Sequence, residues 1–221
     1  VVDWKVNKEY IYKKILKKFN KNKKNKVAVR SSSKNEDNIN DSAAGKFLSL
    51  LNIALKNKKK FYSSVNAVIE SYKKSSHRLD QIIVQEMISN VSMSGVVFTR
   101  DLDNGNHYYV INYDDVTGTT NIVTSGEGIY SNRILYIFKK FQNKIRSPRF
   151  SRLINCVREL EDKLNNNTLD IEFAITKDLK PYLFQVRPIS TTKKWEPLLL
   201  EDQEKLIKNE EKNLKNKFIK V

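Results

Sequence analysis

Apolar residues recur at helical spacing through residues 4–20, where Ile11, Ile15, Leu16 and Phe19 gather on one side and lysines on the other. The same spacing over about 61–74 aligns Phe61, Val65, Val68, Ile69 and Tyr72 and predicts a second amphipathic helix. Between the two, a polar connector at 20–26 leads to a short apolar strand, Val27-Ala28-Val29. That strand runs into Arg30-Ser31-Ser32-Ser33 and a polar loop that continues through Glu36-Asp37 to Asp41-Ser42-Ala43-Ala44-Gly45. The pattern then turns to β. Ile82-Ile83-Val84 reads as a buried strand leading to Gln85-Glu86-Met87. Residues 95–99 and 107–113 read as a hairpin around Asp103-Asn104-Gly105. Residues 133–164 read as helical with a break at Pro148, 169–175 and 182–186 as a late, isolated hairpin, and the remainder as a charged helical tail. The fold class is therefore α+β.

Composition narrows this picture. The chain has 221 residues, 39% of them hydrophobic, enough for a sizeable core in one large or two small domains. No apolar run approaches the roughly 20 residues that span a bilayer, and no leader pattern opens the sequence. A single cysteine, Cys156, excludes an internal disulfide framework and points to a reducing, cytoplasmic setting. With only His77 and His107 beside it, a zinc cluster of the usual kind cannot be assembled. His77 and His107 read as surface residues, and Cys156 as a helix core position.

The net charge of +16 raises nucleic acid as a partner. Its distribution argues otherwise. Residues 1–26 hold ten lysines against Asp3 and Glu9, so half the excess sits in one terminal helix and connector. Over residues 5–26 the stripe lacks interleaved aromatics beyond Tyr10, Tyr12 and Phe19, and no recognition motif accompanies it.

The late hairpin carries the sharpest chemistry. Asp170, Glu172 and Ala174 alternate with Leu169, Ile171, Phe173 and Ile175, so one face is polar and the other apolar. With the turn centred on Asp178-Leu179, Glu172 falls across from Gln185 and Asp170 across from Arg187. Two carboxylates, an amide oxygen and a guanidinium then share one face. Hard divalent cations take oxygen ligands, Mg²⁺ commonly one or two carboxylates plus phosphates, and arginine matches phosphate with its planar fork. The alternative reading is a solvated hairpin face with a cross-strand salt bridge, worth about 0–1 kcal/mol.

Four segments in order resemble the phosphoenolpyruvate synthase and pyruvate phosphate dikinase family. They are Val27-Ala28-Val29-Arg30-Ser31-Ser32 with Glu36-Asp37, Ser42-Ala43-Ala44-Gly45 and Leu51-Asn52-Ile53; Ile83-Val84-Gln85-Glu86-Met87; Ser94-Gly95-Val96-Val97-Phe98-Thr99-Arg100-Asp101; and Asp170-Ile171-Glu172-Phe173 with Leu183-Phe184-Gln185-Val186-Arg187-Pro188. The resemblance covers roughly 27–190. It implies an ATP-grasp-like region, incomplete at its N-terminal lobe, in which ATP lies between two α+β lobes. Residues 1–26 would belong to that first lobe and 191–221 would be a tail or linker. It further implies that Glu172 and Gln185 hold Mg²⁺, supported by Asp170. Arg30 and Arg187 would contact the phosphates, and the loop at 31–45, with Ser31, Ser32 and Gly45, would cover the triphosphate. Gln85, Glu86 and Met87 would form the hinge against adenine, where an ordinary strand end is the other reading. Arg100 reads equally as a phosphate contact or as a surface arginine beside a turn.

The family's activity is phosphoryl transfer from Mg·ATP to a histidine on another domain and then to an acceptor, pyruvate in some relatives and glutamine in others. Departures temper that expectation. Leu102 stands where the family has proline, and Thr117-Gly118-Thr119-Thr120 replaces Gly-Leu-Gly-Glu, with only Ser125-Gly126-Glu127 retained beyond it. No glycine precedes Gly45, so the glycine-rich segment with its phosphate-binding lysine is not seen, and nothing matches the histidine-bearing or pyruvate-binding domains. The expectation is part of a larger phosphotransferase, inactive by itself, with ATP and a small-molecule acceptor as partners and neither nucleic acid nor membrane. A nucleotide-binding remnant without turnover and a basic nucleic-acid-binding module are the alternatives.

Overall fold

The computed structural model describes residues 1–19, 26–32, 48–72, 80–116, 133–191 and 193–218. The chain divides into two units, Val1–Ile88 and Ser89–Val221, each of which mixes helices with one antiparallel sheet.

In the first unit, β1 (Lys26–Ser32) is the centre of a three-stranded sheet ordered β2–β1–β3, with β2 at Ser49–Ala54 and β3 at Gln81–Glu86. Val27, Val29 and Ile53 turn one face towards α3 (Lys58–Ser71), whose Phe61, Val65 and Val68 complete a core with Trp4, Tyr12, Leu55 and Tyr72. The helix expected over 4–20 is two helices, α1 (Val2–Val6) and α2 (Lys8–Phe19). They part at Asn7, whose backbone (φ −143°, ψ 62°) leaves the helical region while its N–H still donates to Asp3 O. The break lets Trp4 and Tyr12 reach the same core: Trp4 Nε1 donates to Asn66 Oδ1 (3.1 Å) and the Tyr12 hydroxyl to Leu55 O (2.9 Å). Arg30, Ser31 and Ser32, expected to begin a loop, continue β1, because β3 pairs with all three and β2 with Arg30. Helix α3 starts earlier than its apolar spacing suggests, because Asn57 caps it by accepting from Lys60 N–H (3.0 Å). Asn57→Ala should cost about 1 kcal/mol, read as a lower urea midpoint at unchanged slope.

The second unit is built on a five-stranded sheet ordered β6–β5–β4–β7–β8. Its strands are β4 (Val91–Phe98), β5 (Tyr108–Asp114), β6 (Arg133–Phe138), β7 (Leu169–Thr176) and β8 (Pro181–Pro188). Helix α4 (Pro148–Leu164) opens with proline in its first turn, where no intrahelical donor is lost. It lays Phe150, Leu153, Ile154 and Val157 on Met93, Val97, Ile111, Ile171, Phe173 and Ile175. Two expectations change here. Residues 133–138 are an edge strand paired with β5, followed by a 3-10 helix at Lys139–Lys144, rather than the start of a helix. The late hairpin is not isolated, since β7 pairs along β4.

Three smaller expectations also change. His107 is half-buried, not a surface residue, and its Nδ1 has no hydrogen-bond partner. Cys156 lies at the margin of the α4 core, half-buried, and burial raises its thiol pKa. The tail and the first turn of α5 (Leu200–Phe218) are bound to the β4–β5 connection. There Trp195 Nε1 donates to Leu102 O (3.2 Å), Leu198 N to Asn106 Oδ1 (3.0 Å) and His107 N to Gln203 Oε1 (3.2 Å).

Candidate functional site

The β7–β8 hairpin assembles its polar face as the alternation predicts. Asp170 pairs with Arg187 and Glu172 with Gln185, and the strand partners put all four on the face opposite the α4 core. The register slips once, between Glu172 and Phe173: Phe173 pairs with Leu183, which leaves Phe184 as an extra residue in β8. Such a bulge twists the strand locally and re-aims its neighbours. Here it lies immediately beside Gln185, on the turn side of both polar pairs.

Asp170 and Arg187 form one unit. Arg187 Nε and Nη2 both reach Asp170 Oδ2, at 2.8 and 2.7 Å. Asp170 is buried while Arg187 keeps part of its guanidinium exposed. Burial raises the Asp170 pKa, Arg187 pulls it down, and the neighbouring Glu172 charge raises it again. The carboxylate is thus an anchor for the arginine fork, holding it beside Glu172 and Gln185.

The oxygen set suits a cation only in part. Among the described residues no group of three or more His, Cys, Asp or Glu side chains converges as a self-sufficient metal centre. Glu172 and Gln185 offer one carboxylate and one amide oxygen on adjacent strands. That is the donor chemistry of magnesium held by one or two protein oxygens and completed by phosphate and water, and it is too few ligands for a structural zinc site.

In the first unit, Arg30 shares a sheet face with Ala28, Ser32 and Gln85, since Ala28 pairs with Gln85 and Arg30 with Ile83. Ser31 and Glu86 alternate to the other face, beside the core positions Val27, Val29 and Val84. The Ser32 N–H donates to the Tyr72 hydroxyl (2.8 Å), which itself donates to Gln81 O (2.6 Å). Met87 continues the β1 pairing through its N–H to Lys26 O (3.1 Å). The structure therefore brings Arg30, Ser32 and Gln85 to one face and separates Ser31 and Glu86 from them. Gly45 and the loop at 33–47 lie outside the described residues, as do His77, 117–120 and 125–127.

Arg100 sits elsewhere in the second unit. It is half-buried, donates to Gly105 O (3.4 Å), and has Glu161, His107 and Lys139 as its ionisable neighbours. Lys139 and the Tyr109 hydroxyl (2.7 Å) both bind the Glu161 carboxylate. Beside them Lys139, Glu161, Asp162, Asn165, Asn166 and Asn167 line an open cavity of about 490 Å³. None of the hairpin's polar residues lines it.

The family model for the pyruvate phosphate dikinase AMP/ATP-binding domain matches residues 6–119. The match takes in Arg30, Gln85 and Arg100 and ends before the β7–β8 hairpin. No curated protein matches the chain significantly.

Proposed function

The chain belongs to the pyruvate phosphate dikinase AMP/ATP-binding domain family, and from that premise we propose that it is the ATP-binding part of an ATP-grasp-like phosphotransferase, with its magnesium–phosphate site on the β7–β8 hairpin. The observation that supports this most directly is the register that sets Glu172 beside Gln185 and Asp170 beside Arg187 on one sheet face. Glu172 and Gln185 would hold Mg²⁺ with their side-chain oxygens. A bound magnesium ion neutralises phosphate charge and orients the transferring group.

The chain's own residues supply positioning. Asp170 takes two donors of Arg187 on one oxygen, which fixes the plane of the fork so that its outer edge is presented to phosphate rather than rotating freely. Arg30, on the face it shares with Ser32 and Gln85, is proposed as a second phosphate contact, with Ser31, Ser32 and Gly45 around the triphosphate. Gln85, Glu86 and Met87 are proposed on the adenine side. Because Ser31 and Glu86 alternate away from Arg30, their contributions would come through backbone groups. Arg100 has the weaker case as a phosphate contact, given its engagement with Gly105 and the Glu161 cluster. The phosphoryl group would pass to a histidine of a further domain and on to a small-molecule acceptor.

Glu172→Gln tests this reading. Mg·ATP affinity measured by calorimetry should fall about tenfold or more, one charge-assisted contact being lost, with the circular dichroism spectrum unchanged. Equal affinity would remove the hairpin from the nucleotide site.

A further inference from the structure

The polar pairs of the hairpin stand in two rows that run on through the sheet. Gln185, Glu172, Val96 and Asn112 make one; Arg187, Asp170, Phe98 and Val110 make the other. The second is the last row in which β4 and β7 pair, because β4 ends at Phe98. Asp170, the buried carboxylate on which the Arg187 fork is set, is only the second residue of β7. It therefore lies at a strand end, where pairing is ordinarily the first to fray.

Thr99, the residue after β4, closes that end. It is fully buried. Its N–H donates to Leu169 O (2.9 Å), and its hydroxyl oxygen accepts from Leu169 N–H (2.7 Å) while donating to Asn167 O (2.8 Å). One residue thus takes both backbone groups of Leu169, the neighbour of Asp170, and reaches back to the turn from α4. That turn is braced further by Thr168, whose N–H and hydroxyl both donate to Asn166 Oδ1 (2.9 and 2.8 Å). A comparable hydroxyl clasp joins β4 to the other end of β7. There Ser92 Oγ donates towards Ile175 O and Thr176 O (3.1 Å each), on the turn side of the bulge and away from both polar pairs.

Resting on the phosphate-binding reading of Arg187, we propose that Thr99 is a positioning residue of the hairpin site. Its hydroxyl fixes the start of β7, and with it the Asp170 carboxylate that aims the Arg187 guanidinium. The only proton of that hydroxyl is committed to Asn167 O, so Thr99 acts through Asp170 and does not touch phosphate. Without the hydroxyl, Leu169 N–H and Asn167 O lose their partner in a buried place, and the strand end shifts to satisfy them. Asp170 moves with its backbone. The guanidinium, held through Nε and Nη2 on one carboxylate oxygen, turns with it, and an oriented contact tolerates little displacement.

Calorimetry on the full chain, with Mg·ATP and with Mg·tripolyphosphate, tests this. Thr99→Val keeps the β-branched shape and removes the hydroxyl. Both affinities should fall about tenfold, the usual scale for a residue that orients a binding group. The two losses should match, because Arg187 meets phosphate and not the sugar or base. Thr99→Ser keeps the hydroxyl and should bind both ligands as the wild type does; it also carries the test should the valine variant not fold. Ser92→Ala removes the other clasp and should lower the melting temperature with affinity unchanged, which separates aiming from general loosening of β4 on β7. In the Asp170→Asn/Arg187→Ala background, Thr99→Val should weaken binding no further, because the group it acts through is gone. Unchanged affinity in Thr99→Val overturns the proposal, as does a loss confined to ATP. Weakened binding in Thr99→Ser, an equal loss in Ser92→Ala or a further loss in the triple variant overturns it too. If Arg187→Ala binds Mg·ATP as tightly as the wild type, the phosphate reading fails and the proposal with it; if Arg187→Ala weakens binding and Thr99→Val does not, only the role of Thr99 fails.

Discussion

Arg187→Ala should destabilise the second unit by about 3 kcal/mol, lowering its melting temperature by roughly 10 °C at neutral pH. Asp170 is buried and its carboxylate leans on Arg187 for both of the contacts described. Taking away the arginine leaves a buried charge without its counter-ion, which costs more than the pair contributed. The pH dependence identifies the cause. Burial already holds the folded-state pKa of Asp170 above its ordinary value, with Arg187 as the opposing influence. A group raised in the folded state favours folding fully below its unfolded pKa, and that contribution is lost as pH rises through the folded value. Without Arg187 the folded value climbs further, so the loss grows between mildly acidic and neutral pH. The melting-temperature gap between variant and wild type should therefore be small near pH 4.5 and wide at pH 7.5. The double variant Arg187→Ala/Asp170→Asn should recover most of the stability and none of the Mg·ATP affinity. A gap that does not change with pH would show that lost packing, not the stranded carboxylate, explains the effect.

The parts of the site that could be read from sequence are those that depend on a period of two and a nearby turn. Asp170, Glu172, Gln185 and Arg187 fall on one face because strand geometry allows nothing else once the turn is placed. The bulge at Phe184 was not legible, because an extra residue leaves the apolar and polar composition of β8 unchanged. The single register assumed for the hairpin holds only on the far side of that bulge. Strand β6 departs from its sequence pattern for a related reason. Ile134, Leu135, Ile137 and Phe138 satisfy helical spacing as well as they satisfy a short strand, and what decides between the two is a pairing with β5 more than twenty residues away. Arg30, Ser31 and Ser32 read as loop by their polarity, yet β3 pairs with all three and β2 with Arg30. Nothing local announced that Trp195 would pack over Gly105, or that Asn112 would stand in the same row as Glu172. The row follows from sheet order and the Trp195 contact from the path of the chain after β8, and composition encodes neither. The opening charge resolves similarly: the lysines of α2 alternate with Ile11, Ile15 and Leu16, which pack against the first unit's core, so they cover a helix that is otherwise inward-facing.

Gly95→Ala should cost about 3 kcal/mol or more. Gly95 lies in β4, between Tyr113 of β5 and Phe173 of β7. A Cβ there would stand 2.1 Å from Asn112 O, 2.8 Å from Tyr113 Cα and 3.0 Å from Asn112 C. All three are backbone atoms, so no rotamer change relieves the overlap and the two strands must part. A glycine inside a strand marks such a close backbone approach. The contrast is Gly105, where the added carbon meets the Trp195 side chain at 2.8 Å and the backbone has φ +76°. Gly105→Ala strains one turn and pushes the terminal segment off it, while the sheet can keep its register. Hydrogen exchange separates the two cases: Gly95→Ala should deprotect amides along β4 and β5, and Gly105→Ala only those near 101–107 and the residues after Trp195. The first variant should also weaken Mg·ATP binding even where the protein remains folded, because β4 is the strand along which β7 and its Glu172 pair. A Gly95→Ala protein with wild-type β5 protection would show that the strands tolerate the contact, and that Gly95 is not what holds them together.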